Sequence, residues 1–404
     1  MADHGAGGAD LSGQGRRWIV VLAAFTLMGM GFGAAYSFAA FFTAFQSEFG
    51  ASRAHVSLIF SLSALLWFSF GVPGGMLADR FGPRGVCLAG ALILAAGLAL
   101  SALAPSLVVL YATFSIGAGI GIGLTYVPSV AAVQHWFVQN RALASGIAVS
   151  GIGAGNLLSP PLAAWLIELA GWRNAYLVLA AATLLLTVPA ALALGGRAAT
   201  RANAGGTTLP GMTLAQALRS PPFWALYVLG LFLCVGVFVP MVHLVPYAQD
   251  AGLGTARGVT LVSLLGLGSL VGRFMIGGIA DRLGHVNALV AISAGMGAMF
   301  LLWWVSSGFW PLAVFAFVFG TLYGGYVALS PTVCMDTFGP KSLSAIIGSL
   351  YTAAGIGTLL GPPLAGASFD VFGSYDVPIL ACAALCFAGA AIAASMRRRF
   401  SHRA

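Results

Sequence analysis

The fold is decided by the stretch from Leu261 to Gly284, which reads LVSLLGLGSLVGRFMIGGIADRLG. Most of it is apolar, yet Arg273 lies within it, sixteen residues after Arg257 and eight before Asp281. A straight helix would place this arginine about 24 Å from one polar end and about 12 Å from the other. An arginine at the centre of a membrane helix costs about 2.5 to 3.5 kcal/mol, so it usually faces a polar cavity. The stretch therefore predicts a membrane-spanning helix whose arginine marks a binding site.

Composition supports a membrane protein. Hydrophobic residues make up 59% of the 404 residues and charged residues only 7%, which no soluble domain of this length tolerates. The chain is predicted to be a polytopic protein of the lipid bilayer. The first sixteen residues are small and polar, without the apolar core of a signal peptide, so the first helix is expected to be a true span. The five cysteines lack metal-ligand spacing, and we expect no metal and no cofactor.

Apolar stretches long enough to cross a bilayer recur twelve times along the chain. They lie at about residues 17–43, 54–78, 85–103, 107–133, 142–168, 173–195, 222–248, 258–280, 286–306, 310–335, 343–369 and 377–396. The sequence therefore predicts an all-α fold of twelve transmembrane helices.

The distribution of basic residues predicts how the chain is oriented, because Lys and Arg collect on the cytoplasmic side of a membrane. Fourteen of the eighteen basic residues fall on the side that holds both termini, namely Arg16, Arg17, Arg80, Arg84, Arg141, Arg197, Arg201, Arg219, Arg282, Lys341, Arg397, Arg398, Arg399 and Arg403. Arg53, Arg173 and Arg257 fall on the opposite side. Both termini are therefore predicted to be cytoplasmic. The net charge of +8 then follows from topology, and no nucleic acid is expected as a partner.

The chain contains an internal repeat. GGMLADRFGPR, from Gly74 to Arg84, follows the second span, and GGIADRLG, from Gly277 to Gly284, follows the eighth. Their aspartates are separated by 281 − 79 = 202 residues, about half the chain. The same offset relates GNLLSPPLAAWL, from Gly155, to GTLLGPPLAGAS, from Gly357. Two pseudo-symmetric six-helix bundles are predicted, with a substrate site between them near the middle of the membrane.

The repeat predicts a chain of five parts. They are a cytoplasmic tail at 1–16, a six-helix bundle at 17–195, a cytoplasmic linker at 196–220, a second six-helix bundle at 221–396 and a tail at 397–404. The linker is basic and rich in Gly, Ala and Thr, so we expect a flexible segment followed by a short surface helix that starts near Thr213.

The topology, the repeated loop and the central linker resemble those of the major facilitator superfamily along nearly the whole chain. Further segments resemble its monocarboxylate transporter branch and bacterial relatives, including the oxalate:formate exchangers. These segments are WFVQNRALASGIAVSGIGAGNLLSPP from Trp136, AGWRNAY from Ala170, and VGRF around Arg273. The resemblance implies a secondary transporter of the cell inner membrane that moves a small monocarboxylate, of the lactate or pyruvate class, by alternating access. It also implies proton symport, and we expect a monomer.

Arg273 is expected to bind the substrate carboxylate, because a guanidinium stays charged and offers a planar fork that matches a carboxylate. The offset maps Arg273 onto Gly71, so the symmetric scaffold does not explain it. Where the similar exchangers carry a lysine in span eleven, this chain has Ala354. The missing second cation favours a monocarboxylate over a dicarboxylate. The alternative for Arg273 is a helix-end arginine whose side chain reaches the lipid headgroups.

The residue that would carry the proton stays open. Animal members of the branch have an aspartate one turn before the arginine and a lysine in the first span, but here Ser269 occupies the former place and the first span has no lysine. His243 in span seven and Asp250 at its end are the candidates, and His243 is also a candidate for substrate contact. The alternatives are a packing histidine and an acid at a helix boundary, since the offset maps Asp250 onto Glu48.

Tyrosines within the spans are the other candidates for substrate binding. Tyr36, Tyr126 and Tyr323 correspond to aromatic cage positions in the similar exchangers, and Tyr351 is a further candidate. A cavity for a small acid needs apolar walls with a few hydroxyl groups, although buried tyrosines also form hydrogen bonds between helices.

The charged residues of the repeated loop are expected to bridge the helices on the cytoplasmic face and to hold the outward-open state, as the resemblance implies. They are Asp79, Arg80, Arg84, Asp281 and Arg282. The arginines alone could follow the charge bias, but that bias does not explain the aspartates.

Other functions remain as alternatives. The missing aspartate beside Arg273 allows an obligatory exchanger of organic anions. A sensor that binds a carboxylate without transport would be expected to carry a soluble output domain, and none is visible. The chain is not expected to be an enzyme, because the sequence shows no nucleophile with a base, metal cluster or cofactor motif.

Overall fold

The protein was analysed as a computed structural model, which describes residues 7–137, 141–194 and 211–400. Over these ranges the backbone is helical nearly throughout and contains no β-strand. Helices suit a bilayer because they satisfy their own backbone hydrogen bonds. Parts of the predicted tails and linker, at 1–6, 195–210 and 401–404, lie outside the described residues.

The first half of the chain forms seven of the described helices. They are α1 (Gly7–Tyr36), α2 (Phe38–Phe49), α3 (Arg53–Phe81), α4 (Pro83–Ala102), α5 (Leu107–Leu110), α6 (Ile116–Trp136) and α7 (Arg141–Ala193). Only Ser37 separates α1 from α2, so the two form the first predicted span together. A π-helical segment, Tyr111–Ser115, joins α5 to α6 within the fourth.

The second half contributes seven more helices among the described residues. They are α8 (Leu214–Leu218), α9 (Pro221–Asp250), α10 (Thr255–Leu283), α11 (His285–Val305), α12 (Phe309–Phe338), α13 (Leu343–Phe372) and α14 (Asp376–Phe400). The short helix expected near Thr213 is α8, where Thr213 and Gln216 cap the helix start reciprocally.

The described helices account for twelve spans. Eleven are long and apolar enough to cross a membrane, and one of these runs from Ala144 to Ala193. At 50 residues it would be about 75 Å long if straight, far more than a bilayer requires. Gly171 is non-helical (φ 79, ψ 162) and divides it into the fifth and sixth predicted spans. The predicted fold class is therefore confirmed, and the two spans are joined by a kink.

The two halves use the same packing pattern. In the first half α7 packs against α1 and α4, and α3 packs against α6; in the second half α13 packs against α9, α14 against α11, and α10 against α12. Contacts between the halves join α3 to α13, α7 to α10 and α2 to α9. The 202-residue offset relates α3 to α10 and the first part of α7 to α13. It therefore turns the contact of α3 with α13 into the contact of α10 with α7, as a pseudo-twofold arrangement requires.

In each copy of the repeated loop, the helix before it ends at a glycine whose φ is positive. Gly82 has φ 84 and ψ 150, and Gly284 has φ 81 and ψ 137. Only glycine adopts this backbone without strain, which explains why both copies keep it. Because the number of spans is even, α1 begins and α14 ends at one membrane face. We call it the terminal face, which also holds these two loops, and the opposite side the far face.

Candidate substrate-binding site

A cavity of about 110 Å³ lies between the two halves. The first half contributes Phe32, Tyr36, Trp67, Phe68, Tyr126 and Ile152. In the second half the lining begins at Phe238, in the middle of α9, and reaches Leu226 and Ile347, which lie close to the starts of α9 and α13. The cavity therefore runs from the middle of the protein towards the terminal face.

Arg273 is the one charged side chain among the described residues that line this cavity. Its Nη1 donates a hydrogen bond of 2.7 Å to the backbone carbonyl of Val149 in α7, so this bond joins the two halves. Nε is enclosed by neighbouring atoms and has no hydrogen-bond partner in the described part of the chain. The Nε and Nη2 edge, which can bind both oxygens of a carboxylate, is thus left unused by the described protein groups.

Five tyrosines line the same cavity, and they are Tyr36, Tyr126, Tyr323, Tyr326 and Tyr351. The phenol of Tyr36 lies beside that of Tyr323, and the phenol of Tyr126 lies beside that of Tyr351, in each case across the two halves. The guanidinium of Arg273 lies close to three of these phenols, namely Tyr36, Tyr126 and Tyr323. The structure therefore brings the four candidate tyrosines together around one cation.

Two positions that distinguish this chain from the similar carriers lie near Arg273. Ala354 of α13 lines the cavity, so the place of the missing lysine belongs to the site. Ser269 is buried one helical turn before Arg273, in the contact between α10 and α12, and it is not among the lining residues. No Asp, Glu or His occurs among the described lining residues, so the positive charge has no acidic neighbour there.

The site also contains residues that the sequence did not single out. Trp67 and Phe238 line the cavity with ring centroids 6.5 Å apart, and Phe60 lies 5.8 Å from Phe238 by the same measure. These rings meet across the halves and close the cavity towards the far face. Ser330 adds a hydroxyl group to the wall. Aromatic residues are common in apolar helices, so the sequence carried no signal that marked these ones.

His243 lies outside the cavity lining, fully buried between the halves on the far side. Its Nε2 is 2.8 Å from the carbonyl of Pro362 and 3.0 Å from Ser57 Oγ. Because a carbonyl only accepts, Nε2 carries the proton, and Nδ1 accepts from the Tyr375 hydroxyl at 3.0 Å. The network thus suits a neutral imidazole. Burial raises the pKa of the Tyr375 phenol, which keeps this donor protonated. The structure does not bring His243 to Arg273.

Asp250 also lies away from the cavity, at the far end of α9. Its two oxygens accept hydrogen bonds from Arg53, at 2.7 Å from Nη1 and 2.8 Å from Nη2. Arg53 Nη1 also donates to the Tyr375 hydroxyl at 2.7 Å. The carboxylate of Asp370 accepts from the backbone N–H groups of Arg53 and Ala54, each at 3.0 Å, and so caps the start of α3.

We call Arg53, Asp250, Asp370 and Tyr375 the far-face cluster; it joins the first half to the second. The sequence contained a signal for it. Arg53 is one of the basic residues that depart from the charge bias, and Asp250 is an acid that recurs at the equivalent helix end as Glu48. The sequence does not pair these two residues, because only the folded chain brings α3 and α9 together.

The terminal face differs from the far face. Arg80, Arg84 and Arg282 are exposed, and none of them forms an ion pair within the described residues. The side chains of Asp79 and Asp281 lie outside the described part, so the bridges expected there stay a prediction. The described ion pair that joins the halves, Arg53 with Asp250, is thus on the far side.

Comparisons with known proteins agree with this architecture. The family model of the Major Facilitator Superfamily matches residues 21–309 and 261–403. Monocarboxylate transporter 13 of Rattus norvegicus is 32% identical over 387 residues, covering 95% of this chain and 90% of that protein. Its counterpart from Bos taurus is 31% identical and covers 93% and 88%, and monocarboxylate transporter 11 of Homo sapiens is 30% identical and covers 93% and 82%.

A solved structure shows the same fold. It is a bacterial homologue of the human lysosomal transporter Spinster, in an inward-facing and unoccupied conformation, with a TM-score of 0.74 and 17% identity. The match covers 94% of this chain and 96% of that one. Twelve spans in two related halves, an arginine in the cavity between them and relatives that match nearly end to end together assign the family. The chain belongs to the Major Facilitator Superfamily, within its monocarboxylate transporter branch.

Proposed function

We propose that this protein is a secondary transporter that moves a small monocarboxylate, of the lactate or pyruvate class, across the membrane by alternating access. The observation that carries the proposal is Arg273, a cation inside the membrane that lines the cavity and keeps one guanidinium edge without a protein partner. A carboxylate on that edge would gain two charge-assisted hydrogen bonds and neutralise the buried charge. The names of the relatives at about 30% identity point to the same substrate class.

The charge of the lining favours a single carboxylate. Arg273 is its one cation among the described residues, and no acid accompanies it. A second carboxylate would be buried without a partner, which is strongly unfavourable. Apolar and aromatic side chains make up most of the remaining wall, and they suit the carbon body of the substrate, while the tyrosines supply hydroxyl groups.

The contact of Arg273 with Val149 suggests how binding would affect the halves. Its Nη1 bond crosses from α10 to α7, which is one of the contacts between the halves. A substrate carboxylate on the Nε and Nη2 edge would bind the same guanidinium that holds this carbonyl through Nη1, so binding would act on a contact between the halves. If both termini are cytoplasmic in the inner membrane, as the charge bias favours, the cavity opens to the cytoplasm and the far face is periplasmic.

Uptake of labelled lactate or pyruvate into proteoliposomes tests the site. Arg273→Gln should reduce uptake by about a hundredfold, because it removes the charged partner of a buried carboxylate. Arg273→Lys should retain part of the uptake, since it keeps the charge but loses the fork. Arg257→Gln is the matched control, because Arg257 lies in the same helix with an exposed side chain. Undiminished uptake by Arg273→Gln would reject the assignment.

We further propose that a proton accompanies the substrate, with obligatory anion exchange as the second candidate. Exchange is favoured by one observation, that the described lining holds no acid or histidine able to carry a proton. Symport predicts faster uptake when the outside is made more acidic than the inside, and loss of this stimulation with an uncoupler. Exchange predicts that uptake needs an anion inside the vesicle and ignores the uncoupler.

A further inference from the structure

We propose that Arg53 locks the far face of the transporter, and that its bonds to Asp250 and Tyr375 form when this face closes and break each time it opens. The far-face cluster is thus a latch between the two halves. The latch rests on the alternating access of the proposed function, but it can be tested without any substrate.

The position of Arg53 distinguishes it from an ordinary surface arginine. Only 11% of its side chain is exposed, although Asp250 is 39% exposed. The guanidinium donates to both oxygens of Asp250 and to the Tyr375 hydroxyl, and its central carbon lies 3.7 Å from the centroid of the Phe369 ring. All three partners belong to the second half, whereas Arg53 begins α3 in the first. Bidentate and partly buried pairs contribute more than exposed ones.

The internal repeat explains why this arginine reaches across. At the same level of the first half, Glu48 pairs with Arg173 at 2.7 Å, and both residues belong to that half. The offset maps this pair onto Asp250 and Tyr375, since 250 − 48 = 202 and 375 − 173 = 202. The second half has therefore kept the acid but carries a tyrosine in place of its own arginine.

This substitution converts a pair within one half into a pair between halves. Asp250 has no arginine from its own half in the equivalent position, and Arg53 supplies the cation instead. The offset maps Arg53 onto Thr255, which is uncharged, so the repeat does not produce a second latch of this kind. The pair Glu48–Arg173 must move as one body with its half, whereas Arg53 and Asp250 can separate.

The chain thus provides its own control for a mutational test. The test pair is Arg53→Gln and Asp250→Asn, and the matched pair is Arg173→Gln and Glu48→Gln, which removes the same chemistry within one half. Spin labels at Ala51→Cys and Ala251→Cys, which lie on the far face beside Arg53 and Asp250, report the separation of the halves by pulsed electron resonance. The five native cysteines that the structure describes are buried, and the parent without the new cysteines measures their background.

We expect Arg53→Gln and Asp250→Asn each to increase the population with a long label distance by about fivefold to tenfold, and the double variant to add little more. The matched variants should keep the wild-type distance distribution, even if they lower thermal stability. A wild-type distribution in Arg53→Gln and Asp250→Asn would overturn the proposal, and so would an equal shift in the matched pair.

Two further variants keep the test decisive if Arg53→Gln or Asp250→Asn fails to fold. Tyr375→Arg restores the pattern of the first half by giving Asp250 its own arginine, and it should release Arg53 and lengthen the distance. Arg53→Lys should restore part of the short distance. In transport assays a weakened latch should lower the KM measured from the far side, because more molecules are then open to the far face. It should lower kcat as well. A folding defect would reduce active protein and leave KM unchanged.

Discussion

At the scale of single residues, Arg273 uses only part of its hydrogen-bonding capacity within the described part of the protein. One donor binds the Val149 carbonyl of the other half, while Nε has no partner within the described residues. Buried polar groups are normally satisfied, so an unsatisfied guanidinium beside a cavity is more consistent with a ligand site than with packing. Nε is enclosed, so a bound carboxylate would need the neighbouring side chains to shift before both oxygens could bind.

At the same scale, the proposed preference for a single carboxylate can be tested at Ala354. Ala354→Lys should add a second cation to the cavity wall, because Ala354 lines it. We expect oxalate to inhibit uptake of the labelled monocarboxylate about tenfold more strongly in this variant, which corresponds to about 1.4 kcal/mol of added binding. Ala354→Met is the control, since it adds a chain of similar length without charge. Equal inhibition of the two variants by oxalate would show that charge at this position does not select the substrate.

At the scale of helices, the position of Arg273 depends on how closely α10 packs on α12. A methyl group at Gly272 would overlap the carbonyl of Thr321, and one at Gly268 would overlap that of Phe317. Small residues allow such backbone contact, which is a main source of helix association in membranes. Arg273, the proposed substrate-binding residue, thus follows directly after a glycine that sets the distance between two helices.

Gly272→Ala should therefore disturb both stability and function. We expect a loss of about 1 to 3 kcal/mol from overpacking, seen as a lower melting temperature in detergent, together with reduced uptake. Gly146→Ala is the control, because a methyl group there meets open space and alanine favours a helix by about 1 kcal/mol over glycine. Should the two variants melt at the same temperature, the contact between α10 and α12 would not be the constraint that we describe.

Helices were the part of the structure that the sequence predicted best. The length of the apolar stretches and the alternation of loops rich and poor in basic residues were sufficient to predict the twelve spans, because a bilayer imposes both. The sequence did not predict that the fifth and sixth spans are joined by nothing more than a kink at Gly171, nor that a π-helical segment interrupts the fourth span. Such details depend on packing against neighbouring helices, which leaves no periodic pattern in the residues.

At the scale of the whole molecule, the far face is held closed by bonds between the halves, and the terminal face is the one that the cavity approaches. Inter-half bonds gather at the far face, while the cavity lining extends towards the terminal face. After replacement of the native cysteines by serine, Ser330→Cys in the cavity wall should react with a membrane-impermeant thiol reagent from the terminal face. Ser61→Cys, which is buried one turn beyond Ser57 on α3, should react from neither face. Reaction of Ser330→Cys from the far face alone would contradict this arrangement.

By itself the sequence determined the membrane class, the number of spans and the repeat, and it singled out Arg273 as a candidate, because each of these follows from local hydropathy, charge and spacing. Only the tertiary structure decided which ionisable groups share a site. It grouped Tyr36, Tyr126, Tyr323 and Tyr351 with Arg273, and it placed His243 and Asp250 at the far-face cluster instead. The physical reason is that these contacts join helices far apart in the chain, and pairing across two halves depends on how the helices pack.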